Sequence, residues 1–420
     1  MVERCLWDEG AGPPSGPGAQ LPDCTDVAIV GGGYTGLSAA RVLARHGATV
    51  TVLERHRVGW GASGRNGGFV LPGYQPEAEC LTRRYGVARA RALFAASTEA
   101  IGFLERLVAE ESIDCEFRRG GAVTLAAKPG HLRDLERSRL TMRESFGHDT
   151  ALLGPAELRE EIGSASYHGG LLDPSAGALH PRRYCMGLAA AAARAGAVIV
   201  EGVEALGATR SGGRTTVATS RGPLKAAGVL VATNGYSGPA FPELRRRVVP
   251  VGSYVVASAR LDPSLAVRLM PRRRVMSDTL HLLHYFRLSE DGRLVFGGRA
   301  SFTPTGVERS ARILARAMRR VFPSLADVPI EYAWAGNVCF TRDRMPHAGR
   351  LEGVHHALGY AGHGVALATW LGARMGDALA GRSPVPELTR DGLRTIPLFR
   401  GTPWFLPAVG GYYRMKDWLS

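Results

Sequence analysis

Lysine is scarce in this sequence of 420 residues, since it occurs only at Lys128, Lys225 and Lys416. Arginine therefore carries almost all of the positive charge, and 52 basic against 38 acidic residues give a formal net charge of +14. A charge of this sign attracts nucleic acid or an anionic membrane surface. The densest arginine clusters, at residues 245–247 and 272–274, are too short for a nucleic-acid-binding tract. We therefore expect no nucleic-acid partner.

The sequence also lacks long apolar runs. No stretch approaches the about 20 uninterrupted apolar residues that span a bilayer, so we expect no integral membrane segment. The N-terminal residues have no apolar core before their proline- and glycine-rich stretch, which argues against a secretory signal. These two absences predict a soluble cytoplasmic protein.

Paired cysteine motifs are missing as well. Six cysteines occur without a C-x-x-C pair or a spacing typical of metal ligands: Cys5, Cys24, Cys80, Cys115, Cys185 and Cys339. Isolated thiols of this kind favour a reducing compartment over a disulfide framework. We expect no metal site.

What the sequence does contain is the composition of a globular protein, with 45% hydrophobic residues and 54 glycines. At about 100–200 residues per domain, the length predicts two or three structural units. Helical patterns such as residues 87–110 alternate with strand patterns such as residues 198–201 and 228–233, whereas strands dominate residues 248–298. This order predicts a discontinuous α/β nucleotide-binding domain interrupted by a β-rich domain.

The clearest motif lies near the N-terminus. An apolar, β-branched run at residues 26–30 is followed by Gly-Gly-Gly-Tyr-Thr-Gly, a helical pattern, and a second strand that ends at Glu54. Gly31 permits the tight turn, Gly33 lets the backbone approach a pyrophosphate, and Gly36 lets the helix pack on the strand. Glu54 follows 18 residues after Gly36, where its carboxylate can accept hydrogen bonds from ribose hydroxyls. The segment therefore predicts a dinucleotide site at a helix N-terminus.

A second glycine-rich segment, GWGASGRNGG at residues 59–68, comes shortly after Glu54. Together with the first motif, it resembles the N-terminal signature of the D-amino acid oxidase (DAO) superfamily of FAD-dependent amine oxidoreductases, and within it the gamma-glutamylputrescine oxidase-like enzymes. The resemblance continues in order through DPSAGALHP at residues 173–181, VATNG at 231–235, WAG at 334–336, TRDRMP at 341–346 and GYAGHGV at 359–365.

The resemblance implies a Rossmann-like FAD-binding domain of the glutathione-reductase type and an antiparallel, β-rich substrate domain. Residues 1–22 are expected to form a loose N-terminal arm. We assign residues 23–80, 166–245 and 331–420 to the FAD-binding domain, and residues 81–165 and 246–330 to the substrate domain.

The resemblance also implies where FAD binds. The first glycine turn would hold the pyrophosphate, Glu54 and Arg55 the adenosine ribose, and the backbone of Val203 the adenine. A helix that begins near residues 362–365 would direct its N-terminus at the flavin, with His363 as a capping residue. The implied cofactor-binding residues are Gly31, Gly33, Tyr34, Thr35, Gly36, Glu54, Arg55, Gly61, Ala62, Ser63, Asn66, Gly67, Gly68, Val203, Asn234, Gly362, His363, Gly364 and Val365.

Noncovalent FAD is expected. Some relatives attach FAD through a cysteine about five residues before a T-x-D segment. Here that position is Gly336, and the nearest cysteine, Cys339, is displaced by three residues.

Candidate catalytic residues come from the strand pattern at residues 282–288. Its alternation places His284 and Phe286 on one face, and Tyr285 and Arg287 on the other. By family position this strand belongs to the sheet that covers the flavin. The candidate catalytic residues are Tyr254, His284, Tyr285, Arg287 and Trp334.

These features predict FAD-dependent oxidation of a C–N bond in an amine or amino acid, with hydride transfer to flavin N5 and hydrolysis of the imine. His284 would keep the substrate nitrogen deprotonated. Reoxidation by oxygen would give hydrogen peroxide, but the region lacks the lysine that some relatives use with oxygen, so another acceptor stays open. No second G-x-G-x-x-G follows a strand, so we expect no separate NAD(P)H domain.

Three alternative functions stay open. They are a tailoring oxidoreductase of natural-product biosynthesis, a tRNA-modifying flavoprotein, and a peripheral membrane dehydrogenase that feeds quinone. The aromatic and basic residues at 404–419 motivate the last of these. We expect that segment to pack back on the FAD-binding domain instead.

Overall fold

The computed structural model of the protein describes residues 2–10, 19–298, 306–386, 388 and 392–419. Within these ranges the chain forms nineteen strands, twelve α-helices and three short 3-10 helices. The strands are β1 (Val2–Glu3), β2 (Cys24–Val30), β3 (Val50–Glu54), β4 (Phe69–Val70), β5 (Ala122–Leu125), β6 (Ala151–Leu153), β7 (Gly170–Asp173), β8 (Gly177–Ala178), β9 (Val198–Glu201), β10 (Ala205–Ser211), β11 (Arg214–Thr219), β12 (Gly222–Val231), β13 (Val249–Arg260), β14 (Val275–Asp278), β15 (His284–Leu288), β16 (Arg293–Gly298), β17 (Ile330–Phe340), β18 (His347–Leu351) and β19 (Val354–Leu358). The helices are α1 (Tyr34–Arg45), α2 (Ala62–Arg65), α3 (Ala78–Tyr85), α4 (Val87–Glu110), α5 (Pro129–Phe146), α6 (Pro155–Leu158), α7 (Pro181–Arg194), α8 (Pro242–Arg245), α9 (Pro263–Leu269), α10 (Val307–Val321), α11 (Gly364–Leu379) and α12 (Leu406–Leu419).

The predicted nucleotide-binding unit is built on an eight-stranded sheet. Six strands follow the order β10-β11-β12-β2-β3-β9, and β19 pairs with β12 and β18. β2 pairs in parallel with β12 and β3, so that Ile29 lies between Leu230 and Val52. All three side chains are completely buried, as expected for parallel strands covered on both faces. The predicted strand-turn-helix-strand unit is confirmed.

Helix α1 packs closely against α11 beside this sheet. A Cβ atom added at Gly372 of α11 would overlap the carbonyl oxygen of Thr35, and one at Gly376 would lie 2.9 Å from that of Ala39. The two helix backbones approach each other because α11 has glycine at both positions. Helix α4 joins the same core through Leu93 and Ile101, although residues 81–165 were assigned to the substrate domain.

The substrate domain is organised by a nine-stranded sheet, in the order β1-β17-β13-β16-β15-β14-β5-β7-β6. Helix α10 packs on one face, over a core that includes Phe286, Phe296 and Phe322. The predicted boundary near residue 330 falls just before β17, yet β17 pairs antiparallel with β13 and extends this sheet. Strand β7, which was also assigned to the FAD-binding domain, pairs here with β5.

Both chain ends pack on the nine-stranded sheet. β1 pairs with β17, and Trp7 is 1% exposed, so residues 2–9 of the predicted arm are held in place. Near the other end, Phe399 and Leu406 are buried against Val249 and Val251 of β13. The C-terminal segment therefore contacts the substrate-domain sheet, where we had expected packing on the FAD-binding domain.

None of the helices in the described ranges is long and apolar enough to cross a membrane.

Candidate functional site

A cavity of about 1740 Å³ lies between the two sheets. Its volume exceeds the about 300–1,000 Å³ of an ordinary small-molecule site, which leaves room for a dinucleotide and a second ligand. Its wall combines the two glycine-rich segments, the N-terminus of α11, one face of the nine-stranded sheet, and residues of α5 and α12.

The first glycine turn has the geometry that a pyrophosphate needs. Gly31 has φ +113°, a conformation that residues with a Cβ atom rarely adopt. A Cβ atom at Gly36 would overlap the carbonyl oxygen of Gly31, so α1 can start this close to β2 only with glycine there. The N-cap residue Gly33 offers no side-chain acceptor to the first turn of α1, which therefore directs N–H groups and the positive end of its dipole at the cavity.

Glu54 lines the cavity at the end of β3. Its Oε2 accepts a hydrogen bond from the backbone N–H of Gly32 (2.8 Å), and its Oε1 accepts one from the N–H of His56 (2.9 Å). Each carboxylate oxygen has a second lone pair that can accept a ribose hydroxyl. Arg55 forms an ion pair with Glu204 at 3.3 Å. The N–H of Val203 donates to the carbonyl of Glu54.

The second glycine-rich segment is folded by Asn66 and tied to the first by Ser63. Asn66 Nδ2 donates to the carbonyls of Ala62 and Ser63, and its Oδ1 accepts from the N–H of Gly68. Ser63 Oγ accepts from the N–H of Tyr34 (3.1 Å). The two loops therefore form one continuous wall along which an extended ligand fits.

The third part of this wall is the N-terminus of α11. Asn234 Oδ1 accepts a hydrogen bond from the N–H of Gly359 (3.0 Å), which holds the end of β12 against this segment. His363, the N-cap residue, has a buried Nδ1 without a hydrogen-bond partner among the described residues. Burial lowers the pKa of His363 to about 4, so its imidazole is neutral. An unpaired ring nitrogen beside a helix N-terminus fits an extended cofactor that supplies the missing partner.

The cofactor-binding residues predicted from the sequence come together around the cavity, with two exceptions. Gly36 and Gly68 are not part of its wall. Both allow close backbone packing, because a Cβ atom at Gly68 would overlap the carbonyl oxygen of Leu179.

The nine-stranded sheet closes the cavity opposite these loops. Tyr285 lies on this wall, and its hydroxyl is 3.1 Å from Ser253 Oγ, within hydrogen-bond distance. The ring needs glycine beside it, since a Cβ atom at Gly297 would overlap it and one at Gly67 would lie 2.9 Å from it. Phe69 contacts the same ring edge to face, with centroids 5.5 Å apart. Ser253, Gly297 and Phe69 are not among the site residues predicted from the sequence. The alternation of β13 identifies Ser253 once Tyr254 is placed in the core.

The other four candidate catalytic residues lie outside the cavity wall. Tyr254 is buried in the core beneath α10. Trp334 donates its Nε1–H to the carbonyl of Arg65 and packs edge to face on Trp7. Arg287 lies with its guanidinium 5.1 Å from the centre of the Trp7 ring, and burial lowers its pKa to about 10.

His284 is also outside the wall, on the opposite face from Tyr285. Its Nδ1 lies 2.8 Å from Oδ2 of the buried Asp278, which does line the cavity. A proton held by His284 can therefore reach the cavity only through Asp278 or a movement of the ring. The catalytic roles of all five residues stay predictions.

Comparison with known proteins agrees with this geometry. The sequence profile of the family described as "FAD dependent oxidoreductase" matches residues 26–378. The chain is 35% identical over 410 residues to the gamma-glutamylputrescine oxidoreductase of Escherichia coli, covering 94% of this chain and 93% of that protein. It is also 35% identical to the probable oxidoreductase OrdL of Rhizobium meliloti, over 93% of this chain and 92% of that protein.

Solved structures share the fold at lower sequence identity. Glycine oxidase from Geobacillus kaustophilus superimposes with a TM-score of 0.74 at 21% identity, over 89% of this chain and 99% of that one. L-proline dehydrogenase from P. horikoshii gives a TM-score of 0.71 at 20% identity, over 87% and 96% of the two chains. The α/β architecture expected from the sequence is confirmed.

Proposed function

The chain belongs to the DAO family of FAD-dependent oxidoreductases, and from that premise we propose that it oxidises the terminal amine of an N-acylated diamine such as gamma-glutamylputrescine. The broader reaction class is FAD-dependent oxidation of a C–N bond in an amine or amino acid. The size of the cavity carries the finer proposal, because it continues beyond Tyr285 to α5 and α12. A small amino acid would leave that extension unused.

Bound FAD supplies a two-electron acceptor for the C–H bond beside the amine nitrogen, and the imine product hydrolyses in water. The turn at Gly31 and the carboxylate of Glu54 would hold the dinucleotide. The N-terminus of α11, with the neutral imidazole of His363, would stabilise negative charge beside it.

The substrate side of the site orients the amine and excludes water. The hydroxyls of Tyr285 and Ser253 form a polar pair in the cavity wall, and either can accept a hydrogen bond from an amine N–H. Phe69, Leu71 and Pro72 provide an apolar wall. Substrate positioning of this kind lowers the entropic part of the barrier.

We propose oxygen or another electron acceptor for the reoxidation that follows oxidation of the amine. A cytoplasmic location stays a prediction from the sequence.

The decisive experiment is an anaerobic titration of the purified holoenzyme, followed by the absorbance of its flavin. We expect gamma-glutamylputrescine to bleach the flavin faster than glycine, putrescine or D- and L-amino acids at equal concentration. Preferential bleaching by a small amino acid would contradict the assignment of the substrate. Bleaching by NADPH, with no response to any amine, would contradict amine oxidation itself.

A second candidate, electron transfer to a membrane quinone, is favoured by the exposed aromatic residues near the C-terminus. Trp404 is 65% exposed and Trp418 is 79% exposed, and Met415 and Lys416 of the same C-terminal segment are exposed as well. Aromatic and basic side chains of this kind suit a bilayer interface. Sedimentation with anionic phospholipid vesicles tests it: the wild type should bind, and the double variant Trp404→Ser, Trp418→Ser should not. A wild type that stays in the supernatant would exclude this candidate.

A further inference from the structure

Helix α12 forms part of the cavity although it lies outside the region that the family profile matches. The match ends at residue 378, whereas α12 begins at Leu406. Its residues Tyr412, Tyr413, Lys416 and Asp417 nevertheless line the same cavity as the glycine-rich loops. A segment outside the shared domain that contacts the site is suited to selecting the substrate.

The helix is held in place by its last turn. The carboxylate of Asp417 accepts hydrogen bonds from two consecutive backbone N–H groups, those of His281 (2.8 Å to Oδ1) and Leu282 (3.0 Å to Oδ2). The rings of His281 and Tyr413 stack with centroids 5.1 Å apart. Lys128 Nζ donates to the carbonyl of Asp417. Asp417 therefore serves the docking of α12, and its charge is already engaged.

Helix α5 faces α12 across this end of the cavity. Lys128, which donates to Asp417, is the N-cap residue of α5, so the first turns of α5 lie beside the last turn of α12. His131, Arg133, Asp134, Arg137 and Ser138 of α5 all line the cavity.

The charges at this end do not balance. Asp134 is paired with Arg137, and Asp417 caps the backbone. Arg133 and Lys416 form no ion pair with any carboxylate of the described residues, although Lys416 Nζ lies 5.5 Å from the centre of the Tyr412 ring. Both side chains line the same cavity, where they attract an anionic group of a ligand.

We propose that the substrate carries a carboxylate at the end remote from the reacting amine, and that Lys416 of α12 and Arg133 of α5 bind it. This inference rests on the proposed function and assigns a specificity role to two residues of the same site. Tyr412 and Tyr413 flank the chain of the substrate between the two ends. An unsubstituted diamine lacks the anionic group and is the poorer substrate.

The test compares gamma-glutamylputrescine with its carboxamide analogue, which has the same length but no carboxylate. Lys416→Ala and Arg133→Ala should each raise KM for the carboxylate substrate roughly tenfold, as expected for the loss of one charge-assisted hydrogen bond. Their kcat values should stay within about twofold, because neither residue contacts the reacting carbon. KM for the carboxamide should change little.

Lys225→Ala is the matched control, because Lys225 is exposed on β12 and is not part of the cavity wall. It should leave both KM values unchanged. Lys416→Gln keeps most of the side chain without the charge, and the flavin content and melting temperature of each variant show whether α12 still docks. Properly folded variants that affect both substrates equally, or neither, would overturn the assignment.

The outcome is distinguishable from a failure of the proposed function. If no amine bleaches the flavin, amine oxidation itself is wrong. If amines bleach the flavin but the wild type treats the carboxylate substrate and the carboxamide alike, only the remote carboxylate site is wrong.

Discussion

Glu54 fixes the shape of the glycine turn through its own hydrogen bonds. Both of its oxygens accept backbone N–H groups, from Gly32 in the glycine turn and from His56. The carboxylate therefore shapes the turn before a ribose reaches it. Glutamine at this position would place its amide N–H group opposite a backbone N–H group, so that two donors would face each other.

We predict that Glu54→Gln weakens FAD binding at least tenfold, because charge-assisted hydrogen bonds contribute roughly 1.5–3 kcal/mol each. Titration of the apoprotein with FAD, followed by flavin fluorescence, measures the change. Glu99→Gln is the control, since Glu99 is half exposed, pairs with Arg374 and is not part of the cavity wall. An unchanged FAD affinity in Glu54→Gln would remove Glu54 from the cofactor site.

The hydroxyls of Tyr285 and Ser253 are the next residues to test. Tyr285→Phe and Ser253→Ala should each lower kcat/KM by about threefold to tenfold, the value of one neutral hydrogen bond of about 0.5–1.5 kcal/mol. FAD content should be unchanged. Tyr254→Phe alters a hydroxyl on the core face of the same sheet, and should retain activity within about twofold. A larger loss in Tyr254→Phe than in Tyr285→Phe would reverse the assignment of the two faces.

Cys339 lines the cavity, but its thiol is unsuited to flavin attachment. Burial raises its pKa to about 12, and a protonated thiol is a poor nucleophile. We therefore predict that acid precipitation releases all of the yellow chromophore into the supernatant. Colour that stays with the precipitated wild type, and is lost in Cys339→Ser, would demonstrate a covalent link.

At the scale of the element, the glycines set how closely helices and loops approach. In α1 the tightest position is Gly36, where the clash of an added Cβ would be with rigid backbone. At Gly33 the neighbour is Ser63 Oγ, at 2.8 Å, which is the end of a small side chain that can rotate. Gly36 therefore tolerates substitution less well than Gly33, although both belong to the same motif.

We predict that Gly36→Ala gives a colourless protein with a lower melting temperature, because α1 must move away from β2 and carries the pyrophosphate site with it. Flavin absorbance and thermal denaturation measure both effects. Gly207→Ala is the control, since a Cβ atom there meets no atom within 4 Å. A yellow Gly36→Ala variant would mean that the turn relaxes without losing the cofactor.

At the scale of the whole molecule, buried histidines link stability to pH. Burial is the main cause that lowers the pKa of His180 to about 3, and those of His356 and His363 to about 4, from the usual 6.5. Between these values and 6.5 the unfolded chain binds protons that the folded chain does not. Stability therefore decreases as the pH falls from about 6.5 to 4.

We predict that the melting temperature falls over this pH range, and that His356→Gln makes the fall less steep. One histidine contributes at most about 1.4 kcal/mol per pH unit. His356 is suited to the test because it is 4% exposed, lies away from the cavity wall, and has a buried Nδ1 without a partner among the described residues. Equal slopes for the wild type and His356→Gln would contradict the prediction.

The sequence by itself determined the nucleotide-binding unit and most of the elements. The pattern at residues 87–110 matches α4 at both ends, and the glycines at 31, 33 and 36 identify the start of α1. Such features follow from interactions within a few residues, such as backbone sterics, helical periodicity and strand alternation. These features can therefore be predicted from the local sequence, without knowledge of the rest of the chain.

Only the tertiary structure decided which residues share the cavity. The alternation of β15 separates His284 from Tyr285, but it does not say which face meets the glycine-rich loops. The same holds for Trp7, which packs on Trp334, and for Asp417, which caps His281 and Leu282. These contacts join residues more than 100 positions apart, and they depend on how the two sheets and both chain ends pack. Long-range packing, rather than local propensity, therefore brings α12 to the cavity wall.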